Sequence, residues 1–237
     1  MAAVCRRCRP LVTITVPPEV ERMVRIGARA LDRAGLVHAY GHVSHRLGDD
    51  RFLVCAAKPM RTIGADDAGT IVPIDGALPD GVLGEVRIHQ SIYRVREDVN
   101  AVCRVMPPTV VALSVLRVTP RPRHGFGAFF APAPPLFDDA QLIRDQPRAD
   151  GLAAMLAGNP AIVMRANGAV TVGASMPAAV AFAWFLEEAA RVEHVALLHR
   201  ADADLGLSLE EVDARRKLDG RVIERMWEYL SHGDEEL

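Results

Sequence analysis

The stretch from Gly84 to Pro108, GEVRIHQSIYRVREDVNAVCRVMPP, constrains the fold of this 237-residue chain most tightly. Glu85, Ile88, Ile92 and Val95 recur at spacings of three and four, which predicts one face of a helix. His89 follows Glu85 at i+4, so the two side chains are expected to share that face. Asp98 and Asn100 end the helical pattern, and residues 101–106 read as a short buried strand stopped by Pro107-Pro108. Alternation places Arg104 and Met106 on one face of that strand, with Cys103 and Val105 on the other. A helix carrying a carboxylate beside a strand carrying a cation calls for an α/β arrangement and marks a candidate site.

The flanking sequence fits such a fold. Pro17-Pro18 precedes a helical pattern over residues 20–34 that Gly35 can terminate. Residues 36–46 (LVHAYGHVSHR) turn at Gly41 and carry the alternating polar set His42, Ser44 and Arg46, and residues 52–56 supply an antiparallel partner. A further strand is expected over 70–74. Residues 117–135 are rich in Pro, Arg, Phe and Gly and read as a long irregular segment containing His124. Residues 152–158 predict a short helix, and 161–164 and 169–172 a hairpin turning at Asn167-Gly168. A long helix is expected over 177–203, and Ser208 with Glu211 forms a capping box opening a last helix through Tyr229. No internal repeat or linker interrupts this order. The expectation is an arm over residues 1–17 and one α/β domain over 18–237, a mostly antiparallel central sheet flanked by helices.

Composition excludes several classes of function. Half of the residues are apolar, 24% are charged and the formal net charge is −2, so no overall field draws the chain to nucleic acid or an anionic membrane. No apolar run reaches the roughly 20 residues that span a bilayer, and the N-terminal segment lacks an apolar signal core; a cytoplasmic location is expected. Cys5 and Cys8 form a lone C-x-x-C without the second pair or histidines of a zinc knuckle, and are read as part of a basic arm. Cys55 and Cys103 sit in apolar runs, where cysteine acts as a small hydrophobe.

The order of pieces resembles the class II aldolase/adducin family. The resemblance is carried by GHVSHR (41–46), the E-x-x-x-H of Glu85 and His89, YRVREDVNAV (93–102), PPTVVALS (107–114), RANGAVTVG (165–173) and the alanine-rich helix after it. It extends from about residue 20 to 229, and the W-x-Y-L of residues 227–230 suits the decarboxylase-like members. It implies the family's three-layer fold, a homo-oligomer, most often a tetramer, and a divalent metal held by three histidines. Those three positions fall on Arg104, Met106 and Asn167, whereas the family's acid/base glutamate falls on Glu85. A guanidinium has no lone pair and repels a divalent cation, and a thioether and a carboxamide are poor ligands for zinc or manganese. No metal and no other cofactor is therefore expected.

Two classes of function remain open from sequence. In the first, Glu85 moves a proton while Arg104 and Asn167 hold the charge of an enolate-like intermediate, making a metal-independent lyase. His42, Ser44, Lys58, His89 and His124 are then the candidates to grip a small anionic substrate. In the second, Glu85 and Arg104 form a structural ion pair, Asn167 serves only its turn, and the chain is a non-catalytic binding or scaffold protein like the adducin branch. The irregular segment bearing Phe126, Phe129 and Phe130 is expected to bury itself against a neighbouring subunit.

Overall fold

The computed structural model describes residues 15–199 and 205–237. The Cys5/Cys8 arm lies outside them. Helix α1 (Pro18–Arg33) starts with Pro in its first turn, carries Glu19 and Glu21 there and Arg33 in its last, and is released by Gly35 at φ +69°. Strands β1 (His42–Arg46), β2 (Arg51–Val54) and β3 (Thr70–Pro73) follow as an antiparallel meander. A 3-10 turn (Gly84–Val86) leads into α2 (Arg87–Val95), then β4 (Ala101–Val105) and α3 (Pro108–Val115). The short strand β5 (Leu136–Phe137) precedes α4 (Gln146–Leu156), β6 (Ala161–Met164), β7 (Gly168–Gly173) and the long α5 (Met176–Leu198). Helices α6 (Leu209–Arg215) and α7 (Val222–Ser231) end the chain.

The described residues form one seven-stranded sheet in the order β3-β2-β1-β4-β7-β6-β5, antiparallel except for the β5–β6 pair at its edge. Alternation divides its side chains between two apolar cores. Val43, Cys103, Val105 and Ala169 face α1, α5 and their neighbours; Phe52, Val54, Val102, Val170 and Val172 face α2 and α4. This is the three-layer α/β domain expected from sequence, with the polar exceptions His42, Ser44 and Arg104 buried on the α2/α4 face of β1 and β4.

Three local expectations are corrected. The C-terminal helix is two helices, because the chain passes through Gly220 and Arg221 in left-handed geometry (φ +69° and +61°) between α6 and α7. Glu85 stands on the 3-10 turn before α2 rather than on the helix itself. Helix α4 begins earlier than its apolar pattern, because the Asp145 side chain accepts from the Arg148 amide and caps it. The aromatic segment packs within its own chain: Phe126 stacks on Phe185 at 4.5 Å between centroids, Phe129 on the same ring at 5.4 Å, and Phe130 is fully buried. Phe126 and Phe129 remain partly exposed at a cleft.

Candidate functional site

Three residues from separate parts of the chain close into a triangle. Arg104 enters from β4, Asn167 from the β6–β7 turn and Glu85 from the 3-10 turn before α2. Arg104 Nη2 donates to Asn167 Oδ1 at 2.7 Å, and Asn167 Nδ2 donates to Glu85 Oε1 at 3.2 Å. Arg104 Nη2 lies 3.3 Å from Glu85 Oε2, and the Ile143 amide adds a 3.4 Å bond to Oε1. Arg104 is 2% exposed, so burial works against its charge and Glu85 counters that penalty. An arginine in this setting stays cationic.

Backbone geometry explains why Asn167 is there. The turn's positive φ angles fall on Ala166 (+57°) and Gly168 (+89°), so Asn167 is not required for turn conformation. A Cβ on Gly168 would stand 2.1 Å from the Val105 carbonyl oxygen, and only glycine lets the turn sit this close to β4. The reading of Asn167 as a turn residue alone is therefore replaced: its carboxamide bridges the cation and the carboxylate.

A file of buried polar side chains runs alongside. His42 is the cross-strand neighbour of Arg104. Its Nδ1 lies 2.7 Å from His89 Nε2; His89 Nδ1 lies 2.5 Å from Ser44 Oγ, which is 2.9 Å from Tyr93 Oη. His89 and Tyr93 stand one turn apart on α2, against Phe52. Burial, then the Arg104 charge, lower His89 to about 3; burial, His89 and Arg104 hold His42 well below its ordinary value. Both rings are neutral at pH 7. Burial also pushes the Tyr93 phenol up, so it keeps its proton.

His42 and Glu85 line a cleft of ≈ 250 Å³, together with Tyr40, Lys58, Leu83 and Arg144. Lys58 sits at this rim with its ammonium 2.7 Å from Asp67, an exposed pair. The structure thus brings Glu85, Arg104, Asn167 and His42 together, with Ser44 and His89 behind them. It does not place His124 among them. That residue lines a separate cleft of ≈ 310 Å³ with Arg215 and Lys217. Sequence reasoning passed over Tyr93, which reads as one more apolar position of α2, and Ile143 and Arg144, which lie in a stretch with no periodic signal.

The donor set does not fit a divalent metal. Both His89 ring nitrogens and one of His42 are engaged within the buried file, leaving the Glu85 carboxylate and one imidazole nitrogen beside a guanidinium. Cys103 lies on the opposite face of β4 in the apolar core, where burial raises its thiol pKa. Among the described residues, no group of three or more His, Cys, Asp or Glu could hold a metal ion.

Residues 21–194 match the model of the class II aldolase and adducin N-terminal domain family. A 3,4-dihydroxyphthalate decarboxylase of Arthrobacter keyseri is 27% identical over 176 residues, covering 66% of this chain and 70% of its own. Decarboxylase tropJ of Talaromyces stipitatus is 26% identical over 239 residues, covering 85% and 88%. Among solved structures, an L-fuculose 1-phosphate aldolase from Glaciozyma antarctica superposes with a TM-score of 0.76 at 20% identity, covering 94% of each chain, which establishes the common fold. The chain belongs to the class II aldolase and adducin family, as a divergent member with Arg104, Met106 and Asn167 where the resemblance places the metal-binding histidines.

Proposed function

We propose that this protein is a metal-independent lyase of the aldolase or decarboxylase type, acting on a small carboxylate- or carbonyl-containing substrate through an enolate-like intermediate. One observation carries the reading: a buried guanidinium, tied to a carboxylate and a carboxamide beside a cleft, keeps Nε and Nη1 without a hydrogen-bond partner. Unspent donors of a buried cation are costly unless an anion receives them. Preorganised donors of this kind stabilise developing negative charge by about 3–4 kcal/mol each in a water-excluded site.

In a decarboxylation, the bond between the carboxylate carbon and its neighbour breaks and carbon dioxide leaves. The electron pair passes to a conjugated oxygen, whose charge Arg104 and Asn167 hold. Glu85, having taken a proton from a substrate hydroxyl or from water, returns one to the carbon. An aldol cleavage uses the same groups: Glu85 takes the hydroxyl proton, the carbon–carbon bond breaks, and the enolate oxygen falls to Arg104. The names of the two decarboxylase relatives support the first version.

The test is turnover of hydroxyaryl and β-keto acids by wild type and Glu85→Gln, which keeps the shape and the oxygen that accepts from Asn167 and Ile143 but removes the basic carboxylate. Turnover is expected to fall by about a hundredfold or more, the usual general acid/base contribution. Wild-type rates retained in Glu85→Gln would refute the assignment. The bond from the Ile143 amide to Glu85 favours a second reading, a non-catalytic scaffold in which Glu85 only ties its turn to the loop before α4. That reading predicts no turnover and no binding of small anions.

A further inference from the structure

The buried file behind the cleft fixes where its protons lie. Each neutral hydroxyl or imidazole has one proton to donate, so the direction of one bond sets the rest. Tyr93 Oη has two acceptors in view. The Asn100 carbonyl is 3.5 Å away, beyond the range of a good O–H···O bond, and already accepts the Arg46 amide at 2.8 Å. Ser44 Oγ is 2.9 Å away, so the phenol donates to Ser44. Ser44 must then donate to His89 Nδ1 at 2.5 Å. The single proton of neutral His89 is left at Nε2, where it is donated to His42 Nδ1 at 2.7 Å. The single proton of neutral His42 consequently sits at Nε2, which is buried and has no partner.

Arg104, the cross-strand neighbour of His42, leaves Nε and Nη1 equally unpartnered. Both side chains are more than nine-tenths buried, at 3% and 2% exposure, and three nitrogens carrying four N–H groups between them are unspent in one small region. Two oxygens with four lone-pair positions, as in a carboxylate, match such a set. We propose that His42 Nε2–H and the free donors of Arg104 together form a carboxylate seat for the substrate. Tyr93, Ser44 and His89 are positioning residues that hold His42 in the donating tautomer. The inference rests on the reading of the cleft as a site for a carboxylate substrate, and it changes three roles: the free donors of Arg104 grip the substrate carboxylate before reaction, and Ser44 and His89 act through His42 instead of touching substrate.

Nitrogen-15 ring spectra of the full chain test the inference directly. The expected result is Nε2–H, with Nδ1 unprotonated, on both His42 and His89; Nδ1–H on either ring overturns it. Benzoate is the probe for the seat, followed by calorimetry. Tyr93→Phe keeps the ring but frees the Ser44 proton; a mixed His42 tautomer and about tenfold weaker benzoate binding are expected, the loss of one charge-assisted hydrogen bond. Restoring a hydroxyl elsewhere cannot mimic this, and unaltered tautomers in Tyr93→Phe would overturn the positioning role. Absence of benzoate binding by wild type would overturn the seat. Turnover is a separate readout: Nε2–H tautomers and benzoate binding without any catalysis would support the seat while refuting the lyase.

Discussion

The triangle of Glu85, Arg104 and Asn167 predicts an unequal response to breaking its ion pair from either side. At 3.3 Å and an effective dielectric of about 20, the Glu85–Arg104 attraction is about 5 kcal/mol before desolvation is subtracted. Removing Glu85 as Glu85→Gln strands a cation whose side chain is 3% exposed, and breaking a buried pair in this way typically costs about 3–5 kcal/mol. Asn167 keeps its bond to Nη2, so about 2–4 kcal/mol is expected. Removing the cation as Arg104→Met differs in kind. Glu85 is 15% exposed at the cleft, retains bonds from Asn167 and Ile143, and can take up water. The two unpartnered Arg104 donors vanish with the side chain, so the loss should be about 1 kcal/mol or less. Urea unfolding of both variants and the double variant, with the dependence on denaturant unchanged, is the assay. The double variant should recover most of the Glu85→Gln loss. Equal losses in the two single variants, or simple addition in the double, would refute the claim that a buried cation depends on Glu85.

Three further outcomes follow from other parts of the molecule. Burial opposes ionisation of Asp234, but hydrogen bonds from Arg29 and Arg33 outweigh it and hold its pKa down to about 2. A depressed folded-state pKa gives stability that is present above the unfolded value near 4 and lost as pH falls toward 2. Asp234→Asn should therefore cost about 2 kcal/mol at pH 7 and much less at pH 2, read from unfolding at both. Gly168→Ala should cost about 2 kcal/mol or more and weaken anion binding, because a Cβ there meets the Val105 carbonyl and pushes the Asn167 turn off β4; wild-type melting would exclude the close approach. Family resemblance supports a homotetramer, which light scattering at micromolar concentration checks, a monomer mass contradicting it.

Much of the architecture was legible because the chain punctuates itself. Pro17-Pro18, Gly35, Pro107-Pro108, Ser208 and Glu211 mark element ends by backbone chemistry that acts locally. Strand β5 was not legible: it is two residues long, and only its parallel pairing with β6 makes it a strand. The break between α6 and α7 was also missed, since Gly220 sits in a run that otherwise continues a helical pattern. For the site, alternation along residues 101–106 correctly separated Arg104 from Cys103, because period two follows from strand geometry alone. The meeting of Arg104, Asn167 and Glu85 depends on register between β4 and β7, which no local pattern encodes. Tyr93 was hidden for the same reason. Its hydroxyl matters only because β1 presents Ser44 to α2 from the face of the sheet.

Metal analysis combined with chelation tests the central claim, that a fixed cation and carboxamide serve where the family resemblance implies a metal. The protein is assayed for turnover before and after exhaustive chelation, and its transition-metal content is measured in both states. The expected result is far less than one equivalent of zinc, manganese, iron or cobalt per chain, with activity unchanged by chelation. About one equivalent, lost together with activity and restored with it on adding the metal back, would contradict the account.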